Sequence, residues 1–176
     1  MSSAPSFRSM VGLSPASAST SDSALVIIDA QNEYAKGQLR VSNADASRKV
    51  IASLLERYRA AKAPVVHVLH ETPAGAPLFT PGTDLAEEFD ELKPIDGEAV
   101  VRKQFPGSFT GTELQKHLEE SGKTKVVLTG YMVSYPHLPP SFFGGLQPRY
   151  VTNLAPLSRP MYACRLRPAK EPRGAG

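Results

Sequence analysis

The hydrophobic pattern of this chain alternates between short, continuously apolar runs and longer segments with helical spacing. Four runs read as strands, at 24–29, 64–70, 98–103 and 123–129. Runs of this length that are apolar at nearly every position are typical of parallel strands covered on both faces. Because strands alternate with helical segments, the pattern predicts an α/β fold with a parallel sheet and right-handed crossovers.

Two segments between the strands have helical spacing, at 42–63 and 110–121. Ser42 or Asn43 could cap the first helix, and Gly122 ends the second. The first helix is predicted to bury one face, formed by Val50, Ile51, Leu54, Leu55 and Tyr58. Residues 71–97 form a long loop rich in proline, glycine and acidic residues, and loops of that length in compact domains are usually functional.

Composition bounds the class of protein. The chain has 176 residues, enough for one domain, with 41% hydrophobic and 21% charged residues. It has no apolar run long enough to span a membrane, and its one cysteine, Cys164, excludes an internal disulfide framework and indicates a reducing, cytoplasmic compartment. We interpret residues 1–22 as a disordered N-terminal tail, with an organelle-targeting peptide as the alternative.

The net charge of +3 comes entirely from the segment after residue 133, which is rich in arginine and proline. Residues 1–133 carry slightly more acidic than basic side chains. The basic pI is therefore weak support for nucleic-acid binding by the folded part, and we predict no nucleic-acid partner.

In an open α/β sheet the chemistry collects beyond the carboxyl ends of the strands. Three candidates occupy such positions: Asp29 after the first strand, Lys103 after the third, and Gly130 after the fourth. Their sequence contexts are DAQNEY, VRKQFPGSF and VLTGYM. Together, in this order and at this spacing, these motifs resemble those of the isochorismatase-like cysteine hydrolases, and the resemblance covers residues 24–132.

The resemblance implies a three-layer Rossmann-like sheet with helices on both faces and an Asp–Lys–Cys triad. Asp29 would take the proton of the thiol, Lys103 would orient that carboxylate, and the thiolate would attack a carbonyl or related centre. The backbone N–H of Met132 would belong to the oxyanion hole, after a cis peptide bond at Tyr131–Met132. The residues expected beside the substrate are Gln31, Tyr34 and Phe109.

A metal site is not expected. One branch of the family binds a metal through an aspartate and two histidines, and no matching cluster occurs here. His67 and His70 are three residues apart on one strand, which places them on opposite faces, so they favour a core or rim role. We predict hydrolysis without a cofactor.

The resemblance fails at the nucleophile. The family pattern requires a cysteine six residues after Gly130, and that position is Pro136. Cys164 lies among arginine and proline residues with no strand before it, which makes it a poor replacement. We therefore divide the chain into a partial hydrolase domain at 23–132, truncated after the fourth strand, and an aberrant tail at 133–176 that is not natively folded.

The genetic code offers an explanation for this break. Val133 and Ser134 can be encoded by an intron start, residues 152–153 by a branch point, and Arg159 by an intron end. The enclosed length is not a multiple of three, so the following exon would be read out of frame. Shifting the frame after Arg159 permits the reading AHVCVSTTARQGA, which restores a cysteine at the expected place. We hypothesise a retained intron followed by a frameshift, either as an error in the gene structure or as a real isoform.

The sequence thus predicts a hydrolase fold that acts on a C–N bond or an isochorismate-type ether, inactive in the given chain because the cysteine is absent. Its partner would be a small-molecule substrate, with no membrane, and the intact family form could be a homo-oligomer. A non-catalytic module that binds a small ligand and a regulated inactive isoform remain open. A flavodoxin-like nucleotide binder is disfavoured, because 30–41 contains no glycine-rich turn. Nucleic-acid binding by the basic segment RLRPAKEPR is the third alternative.

Overall fold

The described residues form a central sheet of six strands. The structure, a computed structural model, describes residues 17–131 and the backbone of two later strands, 150–153 and 164–165. The strands are β1 Ser23–Ile28, β2 Val65–His70, β3 Ala99–Lys103, β4 Lys125–Gly130, β5 Tyr150–Asn153 and β6 Cys164–Arg165. Their order is β3-β2-β1-β4-β5, with every neighbouring pair parallel, whereas β6 pairs antiparallel with β4. The predicted α/β class and the four predicted strands are confirmed.

The described helices flank this sheet. They are α1 Glu33–Lys36, α2 Ala44–Ala60 and α3 Leu114–Glu120, with 3₁₀ turns at Asp84–Ala86 and Asp90–Leu92 in the long loop. Helices α2 and α3 fall within the predicted segments 42–63 and 110–121 and are shorter at both ends. The predicted side-chain cap of α2 is absent, since its N-terminal flanking residue, Asn43, makes no capping hydrogen bond.

Two apolar clusters pack on opposite faces of the sheet, as expected for a three-layer fold. Leu25 and Ile27 of β1 belong to the cluster under α2, and Val26 of the same strand belongs to the cluster under α3. This division follows from the alternation of side chains along a strand, and it explains why β1 is buried at every position. The α2 face comprises Ile51, Leu54, Leu55 and Tyr58.

Val50 was predicted to join this face, and that prediction is wrong. Its side chain is 42% exposed. At about 100° per residue, Val50 lies roughly a quarter turn from the centre of the stripe formed by the other four residues. The stripe is narrow enough that a flanking valine remains in solvent.

The sheet continues beyond the fourth strand, where the sequence predicted it to end. The β5 backbone pairs with β4 from Val126↔Tyr150 to Thr129↔Asn153, and β6 pairs at Lys125↔Arg165. Both segments lie within the predicted aberrant tail, and the rest of 132–176 lies outside the described residues.

The predicted N-terminal tail also has an ordered end. The carboxylate of Asp22 pairs with Lys125 of β4, and Ser23 donates its N–H to the carbonyl of Ser19. Residues 1–16, including any targeting segment, lie outside the described residues.

Candidate active site

Asp29 and Lys103 meet at the carboxyl edge of the sheet, as the sequence predicted. Lys103 Nζ lies 2.9 Å from Asp29 Oδ2, and the two side chains are only 2% and 4% exposed. Their strands are not neighbours, because β2 lies between β1 and β3. The contact forms because the long lysine side chain crosses the end of β2.

The backbone at Asp29 has an uncommon conformation. Its φ of 52° is in the left-handed region, which aspartate tolerates better than most residues but which still costs energy. The turn is fixed by Asp29 N–H, which donates to Val68 O at 2.8 Å, and by Asp29 O, which accepts from Gln31 N–H at 2.8 Å. These hydrogen bonds fix the backbone from which the Asp29 carboxylate projects at the end of β1.

One oxygen of this carboxylate is left over. Asp29 Oδ1 is buried and has no hydrogen-bond partner among the described residues. A buried oxygen without a partner costs about 1–3 kcal/mol, so folded proteins rarely keep one without a use. Burial raises the pKa of Asp29 from its ordinary value of 3.8 to about 6, although the charge and hydrogen bond of Lys103 oppose the shift.

Lys103 is surrounded by acceptors. Besides Asp29, its ammonium approaches Nδ1 of His70 at 3.3 Å and the carbonyl oxygens of Phe105 at 3.5 Å and Pro106 at 3.3 Å. These carbonyls belong to the loop that follows β3, so the backbone of the predicted motif VRKQFPGSF itself holds the amine in place.

The end of β4 is pressed against the residue before Asp29. A Cβ added at Gly130 would lie 1.8 Å from the carbonyl oxygen of Ile28, and the φ of Gly130 is 128°, so only glycine fits here. The next residue, Tyr131, donates its N–H to the same Ile28 carbonyl at 2.9 Å. The chain that follows β4 therefore starts beside the Asp29 turn.

The predicted oxyanion-hole residue, Met132, lies just outside the described residues, as does the Tyr131–Met132 peptide bond. No cis peptide bond occurs within the part of the chain that the structure describes. Both statements about Met132 stay predictions.

Gln31 is fully buried, and its amide is occupied by backbone. Its Nε2 donates to the carbonyls of His70 at 2.9 Å and Ala86 at 2.7 Å, and its Oε1 accepts the His70 N–H at 2.9 Å. The predicted contact of Gln31 with substrate stays a prediction. The structure shows a different task, which is to join the end of β2 to the long loop.

Tyr34 lies in an aromatic cluster beside Asp29. Its ring stacks on Tyr131 with centroids 5.0 Å apart and meets Phe79 at 5.6 Å. Burial and the negative charge of Asp29 both raise the pKa of Tyr34, so its phenol is neutral. Phe109, the third residue expected beside the substrate, packs against the other apolar cluster, the one under α3. Its predicted role also stays a prediction.

Two residues of this site were not singled out from the sequence as parts of it. His70 contacts Lys103, and Phe79 contacts both Tyr34 and the edge of the His70 ring, at 5.0 Å between centroids. His70 could have been found, because it ends β2 and the ends of parallel strands share one edge of the sheet. Phe79 could not, because nothing in 71–97 indicates which residues of the loop fold back.

The described residues contain no group of three or more side chains placed to hold a metal ion. His67 and His70 do separate as their spacing predicted. His67 is fully buried and lies between two carboxylates, those of Glu88 and Glu98. No described helix has both the length and the apolar character needed to cross a bilayer.

This arrangement can perform one kind of chemistry. A carboxylate with a pKa near 6 can accept a proton from a group placed opposite it, when one oxygen is held by an ammonium and the other is buried with no partner in the described part of the chain. The turn at Gly130 and Tyr131 lies beside this carboxylate, because both residues contact the backbone of Ile28, the residue before Asp29.

Comparison with known proteins identifies relatives over the same region. Residues 23–135 match the isochorismatase domain. The chain is 69% identical over 127 residues to the secreted isochorismatase effector Isc1 of Verticillium dahliae, an alignment that covers 72% of this chain and 67% of that protein.

Solved structures agree in fold. An isochorismatase from Pseudomonas putida superposes with a TM-score of 0.67 at 32% identity, covering 73% of this chain and 66% of that one. The N-carbamoylsarcosine amidase of Thermoplasma acidophilum superposes with a TM-score of 0.57 at 30% identity, covering 62% and 67%. The chain therefore spans about two thirds of the length of these relatives.

Proposed function

Because the chain belongs to the isochorismatase family, we propose that its fold serves a cysteine hydrolase of a C–N bond, in an amide or imide, or of an isochorismate-type ether. The triad would consist of Asp29, Lys103 and a cysteine six residues after Gly130. In the present chain that position is Pro136, and we propose that this form is inactive. The amidase among the structural neighbours supports the C–N alternative.

The observation that carries this proposal is that Asp29 Oδ1 is buried and has no hydrogen-bond partner among the residues that the structure describes. Lys103 occupies the other oxygen, so a proton from the nucleophile would be received at Oδ1. The turn at Gly130 and Tyr131, hydrogen-bonded to Ile28, begins the segment that would carry the thiol to that oxygen. We therefore expect the Asp29 carboxylate to act as a proton acceptor. The thiol that would donate the proton belongs to the cysteine that is missing from the sequence.

The reaction on an amide then proceeds in two stages. Asp29 takes the thiol proton, the thiolate adds to the carbonyl carbon, and the amine leaves with the proton that Asp29 returns. Water next adds to the thioester and gives its proton to Asp29. Collapse releases the carboxylic acid and the sulfur regains the proton. Lys103 holds the carboxylate in place through both stages.

The retained-intron hypothesis makes this proposal testable. The spliced transcript should be amplified and read across the codon for Met132. A repaired chain that continues with AHVCVSTTARQGA should be purified beside the present chain and assayed on amide and isochorismate-type substrates. We expect hydrolysis only by the repaired chain. If the repaired chain shows no hydrolysis across such a panel, or if the present chain is active, the proposal is wrong.

A binding module without catalysis is the second candidate, and a specific observation favours it. The Asp29–Lys103 pair and the aromatic cluster are formed without the nucleophile. A small carbonyl compound that raises the melting temperature of the present chain would support this role. A regulated inactive isoform would show the same binding, together with a stable unspliced transcript.

Location and assembly stay predictions. The sequence predicted a cytoplasmic protein, whereas the relative from Verticillium dahliae is described as secreted. The predicted small-molecule partner fits a family of small-molecule hydrolases. The homo-oligomer predicted for the intact family form is a proposal to be tested by the mass of the repaired chain in solution.

A further inference from the structure

His70 occupies a fixed position at the edge of the Asp29–Lys103 site. It is the last residue of β2, and both its backbone N–H and its carbonyl are held by the buried amide of Gln31. The ring meets Phe79 edge-on at 5.0 Å and is partly exposed. A side chain on a backbone held at both polar groups keeps its direction, which is what a recognition residue requires.

The contact with Lys103 determines the protonation of the ring. Nδ1 of His70 lies 3.3 Å from Lys103 Nζ. An ammonium group can only donate, so Nδ1 must accept, and the proton of a neutral imidazole must then be on Nε2. Burial and the charge of Lys103 both lower the pKa of His70, in agreement with a neutral ring.

The remaining nitrogen is available. Nε2 of His70 has no hydrogen-bond partner in the part of the chain that the structure describes, and the ring is not fully buried. The titratable groups around the ring are Asp29 and Lys103, the ion pair of Glu71 and Arg102 beside them and, beyond Phe79, the phenol of Tyr34. With the carboxylate and the ammonium paired and the phenol neutral, these groups carry no net charge near pH 8.

We propose that His70 is the specificity-determining donor of this site. Its Nε2–H hydrogen-bonds the carbonyl oxygen of a neutral amide ligand, while its Nδ1 positions Lys103. A site without net charge favours an amide over the carboxylate of the same shape, because a carboxylate would lose its hydration without gaining a counter-charge. This inference rests on the proposed function, since it assigns the substrate class of the same site to amides.

The first test measures the tautomer on the full present chain. Long-range ¹H–¹⁵N spectra at pH 8 distinguish Nε2–H from Nδ1–H, and the His70→Phe variant identifies the signals. We expect Nε2–H, and we expect the Lys103→Met variant to raise the pKa of His70. An Nδ1–H tautomer, a charged ring at pH 8, or a His70 pKa unaffected by Lys103→Met would overturn the inference.

The second test uses benzamide and benzoate, which differ little in shape but differ in charge. At pH 8 we expect benzamide to bind at least about tenfold more tightly than benzoate, from the desolvation of the anion. His70→Phe keeps a ring against Phe79 without the donor, and it should weaken benzamide about five- to tenfold. His70→Gln, which restores an N–H near the place of Nε2, should recover most of that loss.

Three results of this test would contradict the proposed role of His70. Tighter binding of benzoate, or equal benzamide affinity in wild type and His70→Phe with an unchanged melting temperature, would contradict the proposed role. Absence of binding by the wild-type chain would also overturn it. The hydrolase proposal is judged separately, by the activity of the repaired chain.

Discussion

Two buried ionic groups contact this sheet, and they differ in whether their polar atoms are satisfied. The first is the Asp29–Lys103 pair, in which Asp29 Oδ1 has no described partner and the backbone has a positive φ. The second joins β2 to the long loop through His67, whose ring nitrogens lie 3.0 Å and 3.1 Å from Glu88 and Glu98.

In this second group every carboxylate is partnered. Both oxygens of Glu98 accept from Arg59 of α2 at 2.8 Å, and Glu98 also accepts the N–H of Ile95 at 3.0 Å. Both oxygens of Glu88 lie within 3.1 Å of His67 Nδ1. Burial of charge alone therefore does not distinguish a functional group from a structural one. An unpaired oxygen alone does not either, because Glu33 Oε2 is also buried without a partner among the described residues; the Asp29 group combines such an oxygen with an ammonium at the carboxyl ends of the strands.

The largest expected effect comes from a substitution in the Asp29–Lys103 pair. In the repaired chain, Asp29→Asn removes the proton acceptor but keeps the shape of the side chain, so kcat should fall by about 10²–10⁴-fold. Steady-state kinetics on the best substrate of the repaired chain would measure it. Glu88→Gln, in the structural group, serves as the matched control and should leave kcat within a few-fold. Equal losses in the two variants would erase the distinction.

The next largest effect comes from a substitution in the group formed by His67, Glu88 and Glu98. His67→Leu leaves the buried carboxylate of Glu88 without its partner, whereas Glu98 keeps Arg59, so unfolding of the present chain in urea should require about 3–5 kcal/mol less. The control is the double variant His67→Leu with Glu88→Leu, which removes that stranded charge and should recover part of the loss. A single-variant loss below about 1 kcal/mol would contradict a structural role, since that is the range of exposed ion pairs.

The sequence was sufficient for the parts of this comparison that depend on local pattern. Continuous apolar runs predicted the four strands, and the acid and amine at the ends of two of them predicted the pair at 2.9 Å. The order of the strands was not predictable in this way. The position of β2 between β1 and β3 depends on how the crossover connections pack on the sheet. A strand that is apolar on both faces carries no signal for which strands lie beside it.

The rest of the site depends on the long loop, and there the sequence has no periodic signal. Glu88 and Phe79 fold back onto His67 and His70, and Gln31 uses its amide to hold the loop at Ala86. These contacts join residues far apart in sequence, and their partners are chosen by tertiary packing. The sequence therefore does not distinguish His67, which is buried between two carboxylates, from any other histidine in a strand.

A smaller effect concerns the pH dependence of stability. Burial raises the folded pKa of Asp29 to about 6, above its ordinary value of 3.8. Between these pH values the folded state binds more protons than the unfolded state, so stability falls as pH rises, by up to about 3 kcal/mol. Urea titrations of wild type and Asp29→Asn from pH 4 to pH 7 would isolate this contribution as their difference. A difference that is constant over this range, or that favours wild type as pH rises, would contradict the shift.

The smallest effect comes from a third ionic contact, which lies at the carboxyl ends of β2 and β3. It carries the same charges as the buried groups but is more exposed, so it distinguishes the effect of burial from that of charge. Arg102 of β3 pairs with Glu71, directly beside His70 and Lys103, but its side chain is 60% exposed and that of Glu71 is 22% exposed. Water competes for such a pair and salt screens it, so Glu71→Gln should lower the stability by no more than about 1 kcal/mol, and by less at high salt. Urea unfolding at low and high ionic strength would measure this difference. A loss as large as that of His67→Leu would mean that position at the strand ends, rather than burial and unpaired atoms, sets the energetic importance of a charged residue here.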